Sequence, residues 1–208
     1  MQKELLDQLE TPCIVIDMAR TEENVIRMQA EADAAGCRLR PHIKTHKMPL
    51  FTRMQLAHGA AGITCAKVSE AEVMADGGAE DIFIAYPMVG NFRIKRAIAL
   101  AGRLKRLILA VDSMECAVPL NEAAKAAGIT LEVRLEVDTG AKRTGVQRTK
   151  AAELAKEVHQ LSNLNLTGIY TFKSLVYHDE PTEDKVIAGA EEGDMMEAIA
   201  EEIRKAGV

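Results

Sequence analysis

The sequence predicts an α/β fold built around a parallel sheet. Apolar runs rich in β-branched residues alternate along the 208-residue chain with stretches of helical spacing. Successive apolar runs start 19 to 34 residues apart, about the length of one βα unit. Two of them, residues 82–85 and 107–111, are apolar at every position, as expected of parallel strands covered on both faces. Periodicity alone leaves open whether the sheet closes into a barrel.

Each predicted strand is bounded by glycine or polar residues. The strands are residues 13–17, 38–43, 62–66, 81–85, 106–111, 130–137 and 164–171. Most of the helical stretches between them finish at a glycine, which favours a helix C-terminus at that point. The predicted helices are residues 21–35, 69–76, 94–101, 114–127, 149–161 and 182–205.

The last helical pattern is followed by an Ala-Gly-Val sequence at residues 206–208, where the earlier units place a capping glycine and then a new strand. A closed eight-unit (β/α)8 barrel usually takes about 250 residues. If the sheet is a TIM-type barrel, we therefore expect residues 1–208 to form one incomplete barrel domain.

Composition excludes several classes of protein. With 48% hydrophobic residues the chain can bury a substantial core, and a net charge of −5 with 3% aromatics offers little to nucleic acid. No apolar stretch approaches the roughly 18 residues of a membrane span. The four cysteines contain no C-x-x-C pair, so a reducing cytoplasm is expected. The glycine patterns of dinucleotide-binding and Walker-type phosphate loops are absent.

Residues 40–47 (RPHIKTHK) carry the densest functional signal, at the end of the second predicted strand. Like charges and the apolar strand behind it would disfavour the ammonium form of Lys44, which favours amine catalysis through a Schiff base. The alternative is a basic surface loop with a solvated lysine. His42 and His46 stand four residues apart, but Pro41 favours an extended backbone, so we expect ordinary hydrogen bonding rather than a shared metal.

Two further strand ends are candidates for the same edge of the sheet. Arg143 lies in a loop after the strand that ends near residue 137, and its guanidinium could clamp an anion. The alternative is a surface ion pair with Glu136 or Asp138. Tyr170 and Thr171 end the last predicted strand and could offer hydroxyls to a ligand, although a packed tyrosine with a wet tip is the commoner arrangement.

Together these features resemble the fold-type III pyridoxal-phosphate enzymes, the alanine-racemase-like barrels. Residues 40–47, then residues 67–72 (KVSEAE) and the glycine pair at 77–78, are similar to the D-threonine aldolase and D-serine dehydratase family. The resemblance spans essentially the entire chain. It implies pyridoxal 5′-phosphate as the cofactor, Lys44 as the Schiff-base lysine, and Arg143 at the cofactor's 3-oxygen. It also places Tyr170 and Thr171 near the cofactor.

The resemblance also implies a domain organisation. In the family, the strand at residues 13–17 belongs to a separate β-domain that the C-terminal part of the chain completes. By that pattern, residues 1–208 lack the last two barrel strands and the C-terminal domain. The family's divalent metal is therefore expected only in a longer chain. A homodimer is the assembly implied.

The function expected from the resemblance is D-threonine aldolase-like cleavage of D-β-hydroxy amino acids to glycine and an aldehyde. His46 is the candidate base for the β-hydroxyl in this reaction. D-serine dehydratase-like β-elimination and amino-acid racemisation are the alternatives within the family. A non-catalytic cofactor-binding protein or an inactive fragment, and a cofactor-free Schiff-base lyase, are the rivals from other classes.

Overall fold

A computed structural model describes residues 7–208 and has a parallel sheet at its centre. Neighbouring strands of this sheet follow the order β1, β2, β3, β4 and β6, and the short β5 pairs with the end of β4. All of these pairings are parallel, as predicted. The strands are β1 (Ile63–Cys65), β2 (Asp81–Pro87), β3 (Arg106–Val111), β4 (Leu131–Asp138), β5 (Val146–Gln147) and β6 (Leu164–Tyr170). Beyond the sheet, β7 (Val176–Tyr177) and β8 (Glu180–Pro181) form an antiparallel hairpin.

Helices alternate with these strands. Ser113 caps the start of one of them by accepting a hydrogen bond from the Cys116 backbone N–H, and Gly128 ends the same helix in the left-handed conformation. The helices are α1 (Met18–Ala34), α2 (Pro49–Ala57), α3 (Val68–Asp76), α4 (Asn91–Ala101), α5 (Met114–Ala127), α6 (Ala151–His159) and α7 (Lys185–Lys205). All except α2 were predicted from the sequence, with small differences at their ends.

The sheet is strongly curled. The Phe83 ring on β2 and the Tyr170 ring on β6 meet edge to face with centroids 4.9 Å apart. Two strands lie between β2 and β6, so a flat sheet would separate them by about 14 Å. Contact between the rings therefore requires the inner face of the sheet to close on itself, as in a barrel wall.

Both faces of the strands are covered. On β3, Leu107, Leu109 and Val111 belong to the main apolar core that includes helix residues, whereas Ile108 and Ala110 pack with Phe83 on the inner face. This explains why the sequence run 107–111 is apolar throughout rather than alternating.

The strand predicted at residues 38–43 is wrong in extent. One parallel bridge, between His42 and Thr64, is all that this segment contributes to the sheet, and a 3-10 turn at Ile43–Thr45 follows at once. Pro41 has no N–H to donate, so only its carbonyl takes part, accepting from the Thr64 N–H at 2.7 Å.

Residues 13–17 pair with no strand of the described part of the chain, and Ile14 is 94% exposed. Their assignment to a separate β-domain stays a prediction. Between residues 7 and 208, no helix has the length and hydropathy that crossing a bilayer would need.

Candidate functional site

A cleft of about 790 Å³ lies beside the carboxyl ends of β1 and β2. One end of the cleft is formed by His42 and Lys44, just after the bridging segment, together with Arg143. The cleft extends past the ends of β1 and β2 to the first turns of α3 and α4. This is the edge of a parallel α/β fold that ordinarily carries the active site.

The backbone position of Lys44 is fixed by its neighbours His42 and Ile43. Ile43 is completely buried beneath the 3-10 turn, and the Lys44 backbone N–H donates to His42 Nδ1 at 3.3 Å. The side chain is exposed and lines the cleft. Among the residues described by the structure, no carboxylate pairs with Lys44 Nζ. The amine is thus free to react with a ligand that enters the cleft.

The loop that carries Arg143 is fixed by carboxylates at the ends of two strands. Asp138 Oδ1 accepts from the backbone N–H groups of Gly140 and Lys142, at 2.9 and 3.0 Å. Asp112, after β3, accepts from the Gly145 N–H at 3.3 Å. These bonds determine where residues 139–145 run across the strand ends.

The surface ion pair considered as the alternative role of Arg143 does not form, with either Glu136 or Asp138. Glu136 accepts instead from Thr144 Oγ1 at 2.8 Å, and Asp138 is occupied by backbone groups. The Arg143 guanidinium lies over the Phe172 ring, 5.1 Å from its centroid. It lines the cleft with its charge available to an anion.

Phe172 is the residue that the sequence analysis missed. Lys44 Nζ also lies over its ring, 5.2 Å from the centroid, so one aromatic side chain contacts both candidate cofactor residues. The next residue, Lys173, is 1% exposed and pairs with Glu191 of α7, which anchors Phe172 from behind. The sequence prediction at this strand end rested on the hydroxyls of Tyr170 and Thr171, and it gave no role to Phe172.

Tyr170 and Thr171 use their hydroxyls inside the protein. The Tyr170 hydroxyl donates to Glu136 Oε2 at 2.8 Å, and burial, with the adjacent Glu136 carboxylate, raises the pKa of the phenol. Thr171 Oγ1 donates to the Val137 carbonyl at 2.7 Å and lies 2.7 Å from Thr139 Oγ1. Both residues therefore support the strand ends next to the cleft, and their contact with a cofactor stays a prediction.

The two imidazoles have separate surroundings. His46 packs edge to face on Phe51 of α2, accepts from the Met48 N–H at 3.0 Å, and lies outside the cleft lining. His42 lines the cleft. Burial lowers the pKa of both rings, and the Lys44 charge lowers the pKa of His42 further. Both are therefore neutral near pH 7, and of the two only His42 lines the cleft, with its Nδ1 already accepting from the Lys44 N–H.

No group of three or more His, Cys, Asp or Glu side chains within residues 7–208 has the arrangement of a metal site. The divalent metal expected in a longer chain stays a prediction.

Comparisons with known proteins agree on one family. Residues 16–208 match the model described as the alanine racemase N-terminal domain. The D-threonine aldolase of Arthrobacter sp. is 33% identical over 207 residues, which cover 98% of this chain and 54% of that protein. The D-threo-3-hydroxyaspartate dehydratase of Delftia sp. strain HT23 is 36% identical over 212 residues, covering 100% of this chain and 55% of its own length.

Solved structures give the same result. The crystal structure of the D-threonine aldolase from Filomicrobium marinum superposes with a TM-score of 0.88 at 33% identity, covering 96% of this chain and 54% of that one. The chain thus spans about half the length of the relatives it matches.

Proposed function

Because this chain belongs to the alanine racemase N-terminal domain family, we propose that it is the barrel portion of a pyridoxal-phosphate-dependent lyase. Its substrates would be D-β-hydroxy amino acids, cleaved as by the D-threonine aldolases it resembles into glycine and an aldehyde. Lys44 would hold the cofactor covalently. The observation that carries the proposal is that Lys44 and Arg143, which both line the cleft, lie over the same Phe172 ring.

The residues present fit this cofactor. The aldehyde of the cofactor needs an accessible amine that no carboxylate neutralises. Its phenolic oxygen is stabilised by a side chain with a permanent positive charge. Lys44 supplies the first and Arg143 the second, and both side chains lie over the Phe172 ring. The cleft of about 790 Å³ lies in the size range of cofactor sites.

When bound, pyridoxal phosphate supplies an electron sink for the negative charge that develops at Cα. The chain's own residues do the rest. Arg143 would orient the ring and neutralise its 3-oxygen, and a base would remove the β-hydroxyl proton as the Cα–Cβ bond breaks. His46 stays the proposed base for this step, because His42, the imidazole that lines the cleft, already uses its Nδ1 to accept from the Lys44 N–H.

A second candidate is β-elimination, favoured by the 36% identity to a dehydratase across the whole chain. In this reaction the Lys44 amine, once released from the cofactor, would accept the α-proton while the hydroxyl leaves from Cβ. The two reactions need the same Lys44 and Arg143 but differ in which bond to Cα is broken.

Product analysis distinguishes the candidates. The protein loaded with pyridoxal phosphate is incubated with D-threonine, and glycine, ammonia and L-configured amino acids are measured separately. We expect glycine release that Lys44→Ala abolishes. Lys95→Ala serves as the control, because Lys95 is exposed on α4 and lies outside the cleft lining. Ammonia with a 2-oxo acid would indicate the dehydratase, an L-amino acid would indicate a racemase, and no product from any D-β-hydroxy amino acid would contradict the proposal.

Homodimeric assembly and a cytoplasmic location also belong to this proposal. Light scattering of the purified protein and fractionation of cells test these two parts independently of the chemistry.

A further inference from the structure

Glu136, near the end of β4, is a buried carboxylate that no cation compensates. It is 3% exposed, and within residues 7–208 no lysine, arginine or histidine lies within ion-pair distance of it. Its two oxygens accept instead from two hydroxyls, those of Thr144 and Tyr170, each at 2.8 Å. A carboxylate can only accept hydrogen bonds, and its burial is costly unless they are made, so both hydroxyls must direct their protons at Glu136.

The bond from Thr144 holds the loop at residues 139–145 at a point that the backbone bonds leave free. The carboxylates of Asp138 and Asp112 accept from backbone N–H groups on either side of this point, as described above. Between those bonds, the side chain of Thr144 joins the loop to β4 through Glu136. This attachment lies one residue after Arg143.

The Arg143 side chain has little else to fix its position. It is exposed, and in the described part of the chain it has neither a hydrogen-bond partner nor an ion-pair partner. Its contact is with the ring of Phe172. Because adjacent Cα atoms lie about 3.8 Å apart, a fixed Thr144 limits where the Arg143 side chain begins.

From this geometry we propose that Thr144 is a positioning residue for Arg143. Its hydroxyl, held by the Glu136 carboxylate, keeps the guanidinium where it can bind the cofactor. This inference rests on the proposed function, which assigns the cofactor's 3-oxygen to Arg143. Thr144 does not line the cleft, so it acts through Arg143. Without the hydroxyl, the loop would populate other positions, and the fraction of molecules competent to bind the cofactor would fall.

Three substitutions separate the hydroxyl of Thr144 from its methyl group. Thr144→Val keeps the shape without the hydroxyl, Thr144→Ala removes both groups, and Thr144→Ser keeps the hydroxyl alone. We expect the dissociation constant for pyridoxal phosphate to rise about three- to tenfold in the first two variants, which is the range that a net hydrogen bond supplies. Thr144→Ser should bind as the unchanged protein does. Titration of the visible absorbance band measures all three.

Thr167→Val is the matched control. The Thr167 hydroxyl also donates to a carboxylate on β4, that of Glu132 at 2.7 Å, but Thr167 lies outside the cleft lining. The cofactor affinity of Thr167→Val should be unchanged. A loss of folding stability shared by the two valine variants therefore cannot explain a change in affinity that only Thr144→Val shows.

A double-mutant cycle tests whether the hydroxyl acts through Arg143. Arg143→Gln should weaken cofactor binding by itself, and Thr144→Val added to it should weaken binding no further. At saturating cofactor, the visible band of Thr144→Val should change in the same direction as that of Arg143→Gln.

Unchanged affinity in Thr144→Val and Thr144→Ala, an equal loss in Thr144→Ser, or losses that add in the double variant would each overturn the inference. Failure of the proposed function gives a different result. Unchanged affinity in Arg143→Gln would contradict the role assigned to Arg143, and the inference with it. Weak binding by Arg143→Gln with normal binding by Thr144→Val would contradict the inference alone.

Discussion

Phe172 shows how a single apolar side chain can organise two charged ones. Its ring contacts Lys44 Nζ and the Arg143 guanidinium, which come from segments ninety-nine residues apart in sequence. Each exposed contact of this kind contributes about 0.5 to 1 kcal/mol. The ring thus helps to hold the amine and the guanidinium in one place before any ligand arrives.

Replacing this ring should weaken cofactor binding without unfolding the protein. For Phe172→Leu we expect the dissociation constant for pyridoxal phosphate to rise about three- to tenfold, because both cation–ring contacts are lost. Titration of the visible absorbance band measures it. Phe92→Leu is the control, since Phe92 packs on Arg96 rather than on Lys44 or Arg143. Equal affinity of Phe172→Leu and the unchanged protein would contradict the role assigned to the ring.

That Lys44 and Arg143 lie at the same edge of the sheet could be predicted from the sequence, but their contact with Phe172 could not. Lys44 and Arg143 have functional groups that suggest chemistry and lie after predicted strands. Phe172 has no such group, and its contacts depend on the curl of the sheet and on the buried Lys173–Glu191 pair. Local sequence does not encode those long-range contacts.

At the scale of elements, the path of the loop at residues 139–145 requires Gly145 to lie close to the backbone at Asp138. Gly145 has φ +101, and a Cβ at this position would lie 2.7 Å from the Asp138 backbone nitrogen. Only glycine combines this backbone conformation with that contact. Glycine at 145 therefore allows the loop to lie against the end of β4 and to present Arg143.

Gly145→Ala should displace the loop and with it Arg143. We expect a loss of about 1 to 3 kcal/mol in the free energy of unfolding and at least a tenfold weaker affinity for pyridoxal phosphate. Urea unfolding and cofactor titration measure the two effects. Gly193→Ala in α7, where an added Cβ meets nothing within 4 Å, is the control: it should leave cofactor affinity unchanged and raise the free energy of unfolding by about 0.5 to 1 kcal/mol. Normal cofactor affinity in Gly145→Ala would show that this contact does not position Arg143.

Elements with local signals were predicted most accurately. Helix α5 was predicted at its observed bounds because Ser113 and Gly128 mark its two ends. Helix α2 was missed, since it follows the 3-10 turn of the Lys44 segment directly rather than a full strand. The segment 38–43 contains strand-forming residues, but Pro41 limits its pairing to a bridge, an outcome that depends on its neighbour as well as on its own sequence.

At the scale of the whole molecule, charged side chains join the amino ends of several strands. Arg40 pairs with Asp81 at 2.8 Å, and Arg106 lies 3.6 Å from Asp81. Arg106 also makes two bonds to Glu132, at 2.6 and 2.8 Å, and Thr167 donates to the same carboxylate at 2.7 Å. This network ties together the strand ends opposite the cleft. Its pairing could not be predicted from the sequence, because each partner lies more than twenty residues from the next.

Ionisation of Glu132 should make the folding stability depend on pH. Hydrogen bonds from Arg106 hold its pKa below the ordinary value of about 4.3. A carboxylate whose pKa is lowered by folding stabilises the protein above its unfolded pKa, and this contribution disappears as pH falls through the folded pKa. We expect Glu132→Gln to cost about 1 to 3 kcal/mol at pH 7 and progressively less below about pH 4.

Urea unfolding at several pH values measures this difference. Glu201→Gln is the control, because Glu201 makes only an exposed pair with Lys205 and should contribute less than about 0.5 kcal/mol. A cost for Glu132→Gln that stays constant down to pH 3 would show that the carboxylate charge is not what stabilises the strand ends.

The chemistry proposed for the cleft requires the amine of Lys44 to condense with an aldehyde. The protein is saturated with pyridoxal phosphate, reduced with borohydride, and digested for peptide mass spectrometry. We expect loss of the visible band and one dominant pyridoxyl adduct, on Lys44, with a weaker initial band in Arg143→Gln. An adduct spread over other lysines, or a protein that remains colourless and unmodified, would contradict it.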